Sequence, residues 1–199
     1  MRLPILSAAF AALCLALPTS AQKIHIFGGN GTRAQTSQLF FGEKVMGGMQ
    51  FVYSQPKWKD SNDAMLEKLK GGLHRLGMDW WTTFNTTVEV EFGGVKVPAG
   101  CYVVGIECSK EGKFSLALLD ASKAMKASAM PFPTDEKTGA MNWKPEILVP
   151  LEFQKGTAKE VVELMTMTLT LGEDLKGSYT LTWGKHVASA AIAVVPAKQ

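Results

Sequence analysis

Residues 80–120 read WWTTFNTTVEVEFGGVKVPAGCYVVGIECSKEGKFSLALLD, and this stretch decides the fold. Val88, Val90 and Phe92 alternate with Glu89 and Glu91, the period-two pattern of a strand with one dry and one wet face. Gly93-Gly94 then supplies the backbone freedom of a tight hairpin, and Val95 and Val97 resume the alternation until Pro98-Ala99-Gly100 breaks it. Tyr102, Val104, Ile106 and Cys108 share the inward face of the next strand. After a polar turn over 109–113, Phe114, Leu116 and Leu118 continue inward. The pattern predicts a meander of neighbouring antiparallel strands.

Working outward, the clearest alternation lies near the C-terminus. Met165, Met167, Leu169 and Leu171 interleave with Thr166, Thr168 and Thr170. A loop over 172–177 follows, and then Tyr179, Leu181 and Trp183 interleave with Ser178, Thr180 and Thr182. This predicts a hairpin with a wet threonine face and a dry face. An alanine-rich run over 187–195 suits a crowded last strand. Upstream, residues 38–41 predict a first short strand and 49–54 a clearer one, stopped by Pro56. Ile147, Val149, Leu151 and Phe153 have strand phase, with Pro150 demanding an edge or a bulge.

The helical signal is confined to 61–76. Met65, Leu66, Leu69, Leu73 and Leu76 form one stripe behind a Ser61 or Asn62 cap. Gly71-Gly72 weakens its middle by about 2 kcal/mol relative to alanines, so a short helix, a break and a last turn is the alternative. Residues 120–143 predict an exposed excursion with one helical turn near 121–127. About nine strands and one amphipathic helix specify an all-β fold, an antiparallel β-sandwich or flattened barrel.

Residues 1–21 have the form of a secretory signal peptide: Arg2, an apolar run from Leu3 to Leu17, and small residues before a cleavage near Ala21. The expected organisation is signal peptide 1–21, flexible leader 22–36 and a single sandwich domain over 37–196, exported to the periplasm or beyond. The apolar run is too short to favour a membrane span, so no stable insertion of the mature chain is expected. Cys14 follows Leu13, whereas a bacterial lipoprotein site needs a small residue there. The whole chain holds 21 Lys and Arg against 18 Asp and Glu, a formal charge of +3, with no basic cluster. That balance excludes an electrostatic footprint for nucleic acid.

Cys101 and Cys108 are expected as free thiols, since seven residues of strand span roughly 23 Å and a disulfide needs alpha carbons within about 7 Å. His25, His74 and His186 have no partner at metal-ligand spacing, and no cofactor motif occurs. Glu89 and Glu91 lie roughly 7 Å apart on one strand face, but as the wet side of a half-buried strand rather than a carboxylate pair. No serine sits in a nucleophile elbow. Asn30-Gly31-Thr32 and Asn85-Thr86-Thr87 fit glycosylation sequons. No pattern specifies an oligomeric state.

Four motifs resemble an exported bacterial family known as domain of unknown function family 2911. They are Tyr53-Ser54-Gln55-Pro56, Trp80-Trp81-Thr82-Thr83-Phe84-Asn85, the run Lys96-Val97-Pro98-Ala99-Gly100-Cys101-Tyr102, and Leu181-Thr182-Trp183-Gly184-Lys185. The resemblance implies an all-β fold over roughly 34–196 and no particular activity. Gln55 and Trp81 stand where the family pattern has arginines, so any anion grip those provide is lost or passes to Lys57 or Arg75.

The aromatic and amide residues Tyr53, Gln55, Lys57, Trp58, Trp80, Trp81 and Asn85 form the candidate ligand surface. Adjacent tryptophans on a strand face opposite ways, so one of Trp80 and Trp81 is core and the other covers the helix or is free to stack on a sugar. The expected function is non-catalytic binding of a carbohydrate or envelope component. The alternatives are a secreted hydrolase with acids or His186 assembled from distant loops, and a structural module of the envelope.

Overall fold

The computed structural model describes residues 33–42, 45–137 and 139–195. Two antiparallel sheets face each other, and neither closes into a barrel. One runs in the order β1 (Arg33–Phe41), β2 (Met46–Ser54), β4 (Thr82–Thr86), β7 (Gly100–Cys108), β8 (Phe114–Asp120), β9 (Ile147–Pro150), with β3 (Gly72–Arg75) also on β7. The other runs β11 (Val162–Leu171), β12 (Lys176–Gly184), β13 (His186–Val194), β5 (Val90–Phe92), β6 (Val95–Val97), with β10 (Glu152–Gln154) also on β13. Helices α1 (Asn62–Lys68) and α2 (Ala121–Lys126) complete the described elements. No helix among the described residues is long and apolar enough to cross a membrane.

The alternation in the deciding stretch is reproduced in its burial. Val90, Phe92, Val104, Leu116 and Leu118 are sealed, with Tyr102, Cys108 and Phe114 nearly so. Gly93 and Gly94 take positive φ values of 58° and 77°, which hairpin turns of this kind require. The partition between sheets differs from a meander. The β5–β6 hairpin pairs with β13 in the second sheet, while β4, β7 and β8 lie in the first. The chain therefore crosses the sandwich at 87–89 and again at Pro98-Ala99. Tyr102 braces the second crossing by donating from its hydroxyl to the Pro98 carbonyl at 2.9 Å.

Other boundaries also shift. Strand β1 begins at Arg33, four residues inside the expected leader, because its full length pairs with β2 from Arg33↔Ser54 to Phe41↔Met46. The signal peptide, the leader up to residue 32 and the Asn30 sequon lie outside the described residues. The expected helix over 61–76 stops at Lys68. Gly71 adopts a left-handed φ of 77°, and the next four residues pair with β7 as β3 rather than adding a helical turn. The described residues form thirteen strands where about nine were expected. Pro150 ends β9, an edge strand, as its missing donor requires.

Phe51, Phe84, Phe92 and Tyr179 pack ring against ring at the centre of the inter-sheet core. A second apolar cluster lies apart from it, where Val103, Ala117 and Leu119 pack with Trp81, Ala124 and Trp143. The supposed excursion over 120–143 thus supplies a cover: Asp120 caps α2 through the Ser122 and Lys123 amides, and Ala124 is buried. Strands β7 and β8 are consequently buried on both faces.

The open edge of β11 is closed by side chains and irregular backbone rather than by a strand. Thr36 Oγ1 accepts from the Leu169 amide, and Gln38 donates to the Leu169 carbonyl. The Tyr53 hydroxyl accepts from the Met167 amide at 2.9 Å and donates to its carbonyl at 3.3 Å. Gln55 Nε2 donates to the Met165 carbonyl, the Met165 amide donates to Pro56, and the Trp58 amide donates to Glu163. An edge that would otherwise present free donors and acceptors is thereby occupied from within the molecule.

Candidate ligand-binding site

Strands β3 and β4 share one edge of β7 end to end, and β10 and β5 share one edge of β13 in the same way. At the end of the sandwich where β3 and β10 lie, a cavity of about 510 Å³ opens between the sheets. Ile106, Phe114, Phe153, Met165, Leu181 and Trp183 wall it, and Leu66 and Leu69 reach it from α1 and the turn that follows.

Rings form a continuous train around this end. Phe114 packs on Phe153, Phe153 stacks on His186, His186 meets Trp58, and Trp58 meets Trp183 edge-on at a centroid distance of 5.1 Å. The Trp183 indole donates to the Pro56 carbonyl at 2.9 Å, which fixes its plane. Gly184 allows the Trp58 ring to lie flat on the β12–β13 turn: φ there is +61°, and a β-carbon would stand 2.5 Å from the indole.

Helix α1 covers the cavity without burying any of its own residues. His186 is buried, and its Nε2 lies 2.8 Å from Asp63 Oδ1 on α1. The Gly156 amide donates to its Nδ1 at 3.3 Å, so Nδ1 is the acceptor and Nε2 carries the proton that Asp63 receives. Both ring nitrogens are therefore engaged, Nε2 in holding α1 against β13 and Nδ1 in holding the loop after β10. Lys155 adds a second tie through Glu67 at 3.4 Å.

The polar groups at the cavity are Lys57, Lys59, Asn62, His74, Arg75 and His186, with the Trp183 indole already bonded. No Asp, Glu, Ser, Thr, Cys or Tyr among the described residues lines it. Among the described residues no three His, Cys, Asp or Glu side chains gather as a metal site. Both ring nitrogens of His186 are engaged, and His74 bonds the Leu69 carbonyl through Nε2 at 2.9 Å.

The residues singled out from the sequence do not converge. Lys57 lines the cavity and Trp58 backs its rim, packed on His186. Tyr53 is core and, with Gln55, closes the β11 edge. Trp81 is 5% exposed and packs on Trp143, while Trp80 is 54% exposed, so the expected division of the pair holds with Trp81 as the core member. Asn85 sits in β4 opposite Gln50 and Cys101, away from the cavity. Glu89 pairs with Lys96 across the β5–β6 turn, the wet role expected of it.

Sequence reading missed Phe153, Ile106 and Leu181 as cavity walls, although each carried a strand-phase signal. Spacing along the sequence also offered His186 no partner. His186 opens β13, and its partner Asp63 lies 123 residues away. Cys101 is exposed and Cys108 buried, both as free thiols.

The four family-like motifs all have structural work in this fold. Tyr53-Ser54-Gln55-Pro56 closes an edge, Trp80 to Asn85 enters β4, Lys96 to Tyr102 makes a sheet crossing, and Leu181 to Lys185 makes the hairpin against Trp58. Comparison of the chain with protein-family models, with curated proteins and with solved structures finds no match.

Proposed function

We propose that this is an exported, non-catalytic binding module for an envelope component, and that its ligand is a small, largely apolar molecule held between the sheets beneath α1. The observation that carries the reading is the 510 Å³ apolar cavity, inside the range of about 300–1,000 Å³ typical of small-molecule sites. Its lining argues against the hydrolase alternative, since a hydrolytic centre needs a nucleophile or an activated water and neither a hydroxyl nor a carboxylate faces the space. Likeness to domain of unknown function family 2911 belongs to the same proposal and rests on the four motifs.

The test is uptake of the neutral fluorescent probe N-phenyl-1-naphthylamine by the purified chain. Saturable one-to-one binding is expected. Leu66→Trp on α1 and Ile106→Trp on β7 each fill the space from a different wall, and each is expected to abolish uptake. Absence of saturable binding, or uptake unchanged by both variants, overturns the reading. Export is tested separately by N-terminal sequencing of the mature protein, with a new terminus near Gln22 expected.

A further inference from the structure

The cavity combines an apolar interior with a rim of one charge sign. Lys57, Lys59 and Arg75 line it and are exposed, so they stand at its opening to solvent. Among the described residues no carboxylate lines it. Elsewhere on the described surface paired and unpaired lysines both occur, Lys68, Lys126 and Lys185 being among those outside ion-pair distance of an acid. Lys70, Lys96, Lys123 and Lys155 all lie within ion-pair distance of a glutamate. Lys57 reaches Glu163 at 3.3 Å, but Lys59 and Arg75 have no acidic partner among the described residues. The nearby Asp63 is engaged by His186 and does not line the space.

We propose that the ligand is a single-chain amphiphile with an anionic oxygen head: the alkyl chain lies between the sheets beneath α1, and the head meets Arg75 and Lys59 at the mouth. This rests on the binding reading above and names the ligand class for the same site. Guanidinium presents a planar fork of donors that matches a carboxylate or phosphate, and Lys59 adds a point charge at the same cavity. At about 30 Å³ per water-sized group the cavity holds roughly 17 such groups, enough for one alkyl chain of about a dozen carbons with its head. Flexible Met65 and Met165 at the two sides of the space suit a chain of variable conformation. A flat sugar finds little here, because the walls offer almost no hydrogen-bonding groups below the rim.

The experiment is displacement of N-phenyl-1-naphthylamine from the intact chain by four ligands, dodecanoate, dodecyl phosphate and dodecyltrimethylammonium below their micellar concentrations and 1-dodecanol below its solubility limit. The two anions are expected to displace the probe at concentrations about 10-fold below dodecanol, the worth of two exposed ion pairs, and the cation is expected to be weakest. The tighter of the two anions identifies the head. Lys59→Gln combined with Arg75→Gln, both surface changes, should remove the preference for anions and leave dodecanol within about 2-fold. Equal displacement by dodecanol and dodecanoate, or an anion preference that survives the double substitution, overturns the proposal while leaving an apolar binding site intact. Failure of the probe itself to bind refutes the underlying reading instead.

Discussion

Replacing Tyr53 by Phe isolates the edge closure of β11 from ordinary packing. The ring stays, so core volume is preserved, and only the hydroxyl that serves both Met167 backbone groups is lost. Met167 is 2% exposed, so water cannot readily take its place. Leaving a buried amide without its acceptor costs about 1–3 kcal/mol, which for a domain of this size lowers the melting temperature by roughly 2–12 °C. Tyr179→Phe is the internal control. Its hydroxyl is buried at the core centre without a hydrogen-bond partner among the described residues, and burial pushes its pKa far up and keeps it neutral. Removing that group relieves a desolvation cost, so the variant is expected to be neutral or more stable by up to about 1 kcal/mol. Thermal unfolding of both variants, with hydrogen exchange at the Met167 amide, decides the matter. Equal destabilisation by the two substitutions, or unchanged protection of Met167 in Tyr53→Phe, refutes the edge-closure account.

Three further outcomes follow from side-chain placement. Trp81→Ala should destabilise the fold by about 3–5 kcal/mol, as large aromatic truncations in cores do, whereas Trp80→Ala should shift stability by less than about 0.5 kcal/mol; comparable melting temperatures for the two variants would contradict the burial assignment. Iodoacetamide should label Cys101 and spare Cys108 in the folded chain. Desolvation, with Asp120 nearby, raises the Cys101 pKa, so less thiolate is present at a given pH and its labelling profile should lie to higher pH than that of a free thiol. The Asp120 carboxyl is held below the ordinary aspartate range by its Ser122 hydrogen bond first and by the Lys123 amide next. Its lowered folded pKa means that its contribution is present above the unfolded value and lost as pH falls through the folded one. Asp120→Asn should therefore flatten the acid limb of the melting profile, and an unchanged limb would remove Asp120 from the account.

The inward faces of the strands were legible in the sequence because period-two burial is a local property: Val90, Phe92, Val104, Leu116, Leu118, Met167 and Tyr179 all lie where alternation put them. The glycine hairpin at 93–94, the free cysteines and the α2 turn were legible for similar reasons. Partition into sheets was not, since nothing within residues 88–108 distinguishes a hairpin that pairs with β4 from one that pairs with Ile192 to Val194 of β13. Helix α1 was overextended because Leu73 and Leu76 keep helical spacing by coincidence. Leu73 packs with the outer cluster and Leu76 with the inner core, the opposite-facing outcome a strand and its exit produce. Tyr53 and Gln55 looked like ligand residues because an aromatic hydroxyl and an amide near a strand end suit either recognition or capping. Their partners Met167 and Met165 lie more than a hundred residues away.

That same long-range construction leaves the β11 edge and the cavity end of the sandwich closed in different ways. Along β11 from Leu169 to Glu163 the edge is satisfied at successive backbone groups. Over the cavity the cover is a seven-residue helix with no buried side chain, tied down by His186 to Asp63 and by Lys155 to Glu67. Helices this short are not stable on their own, so these ties govern how long α1 stays seated. Asp63→Ala removes the shorter tie while leaving the sheets untouched. Amide exchange over 62–69 should accelerate about 3- to 10-fold, the equivalent of losing one partly exposed charge-assisted bond. Exchange in β7 and β13 should not change, and release of a bound apolar probe should quicken with it. Unchanged exchange over 62–69 would mean that Leu66 and Leu69 hold the helix by apolar contact alone, and the His186–Asp63 pair would then have no part in controlling access to the cavity.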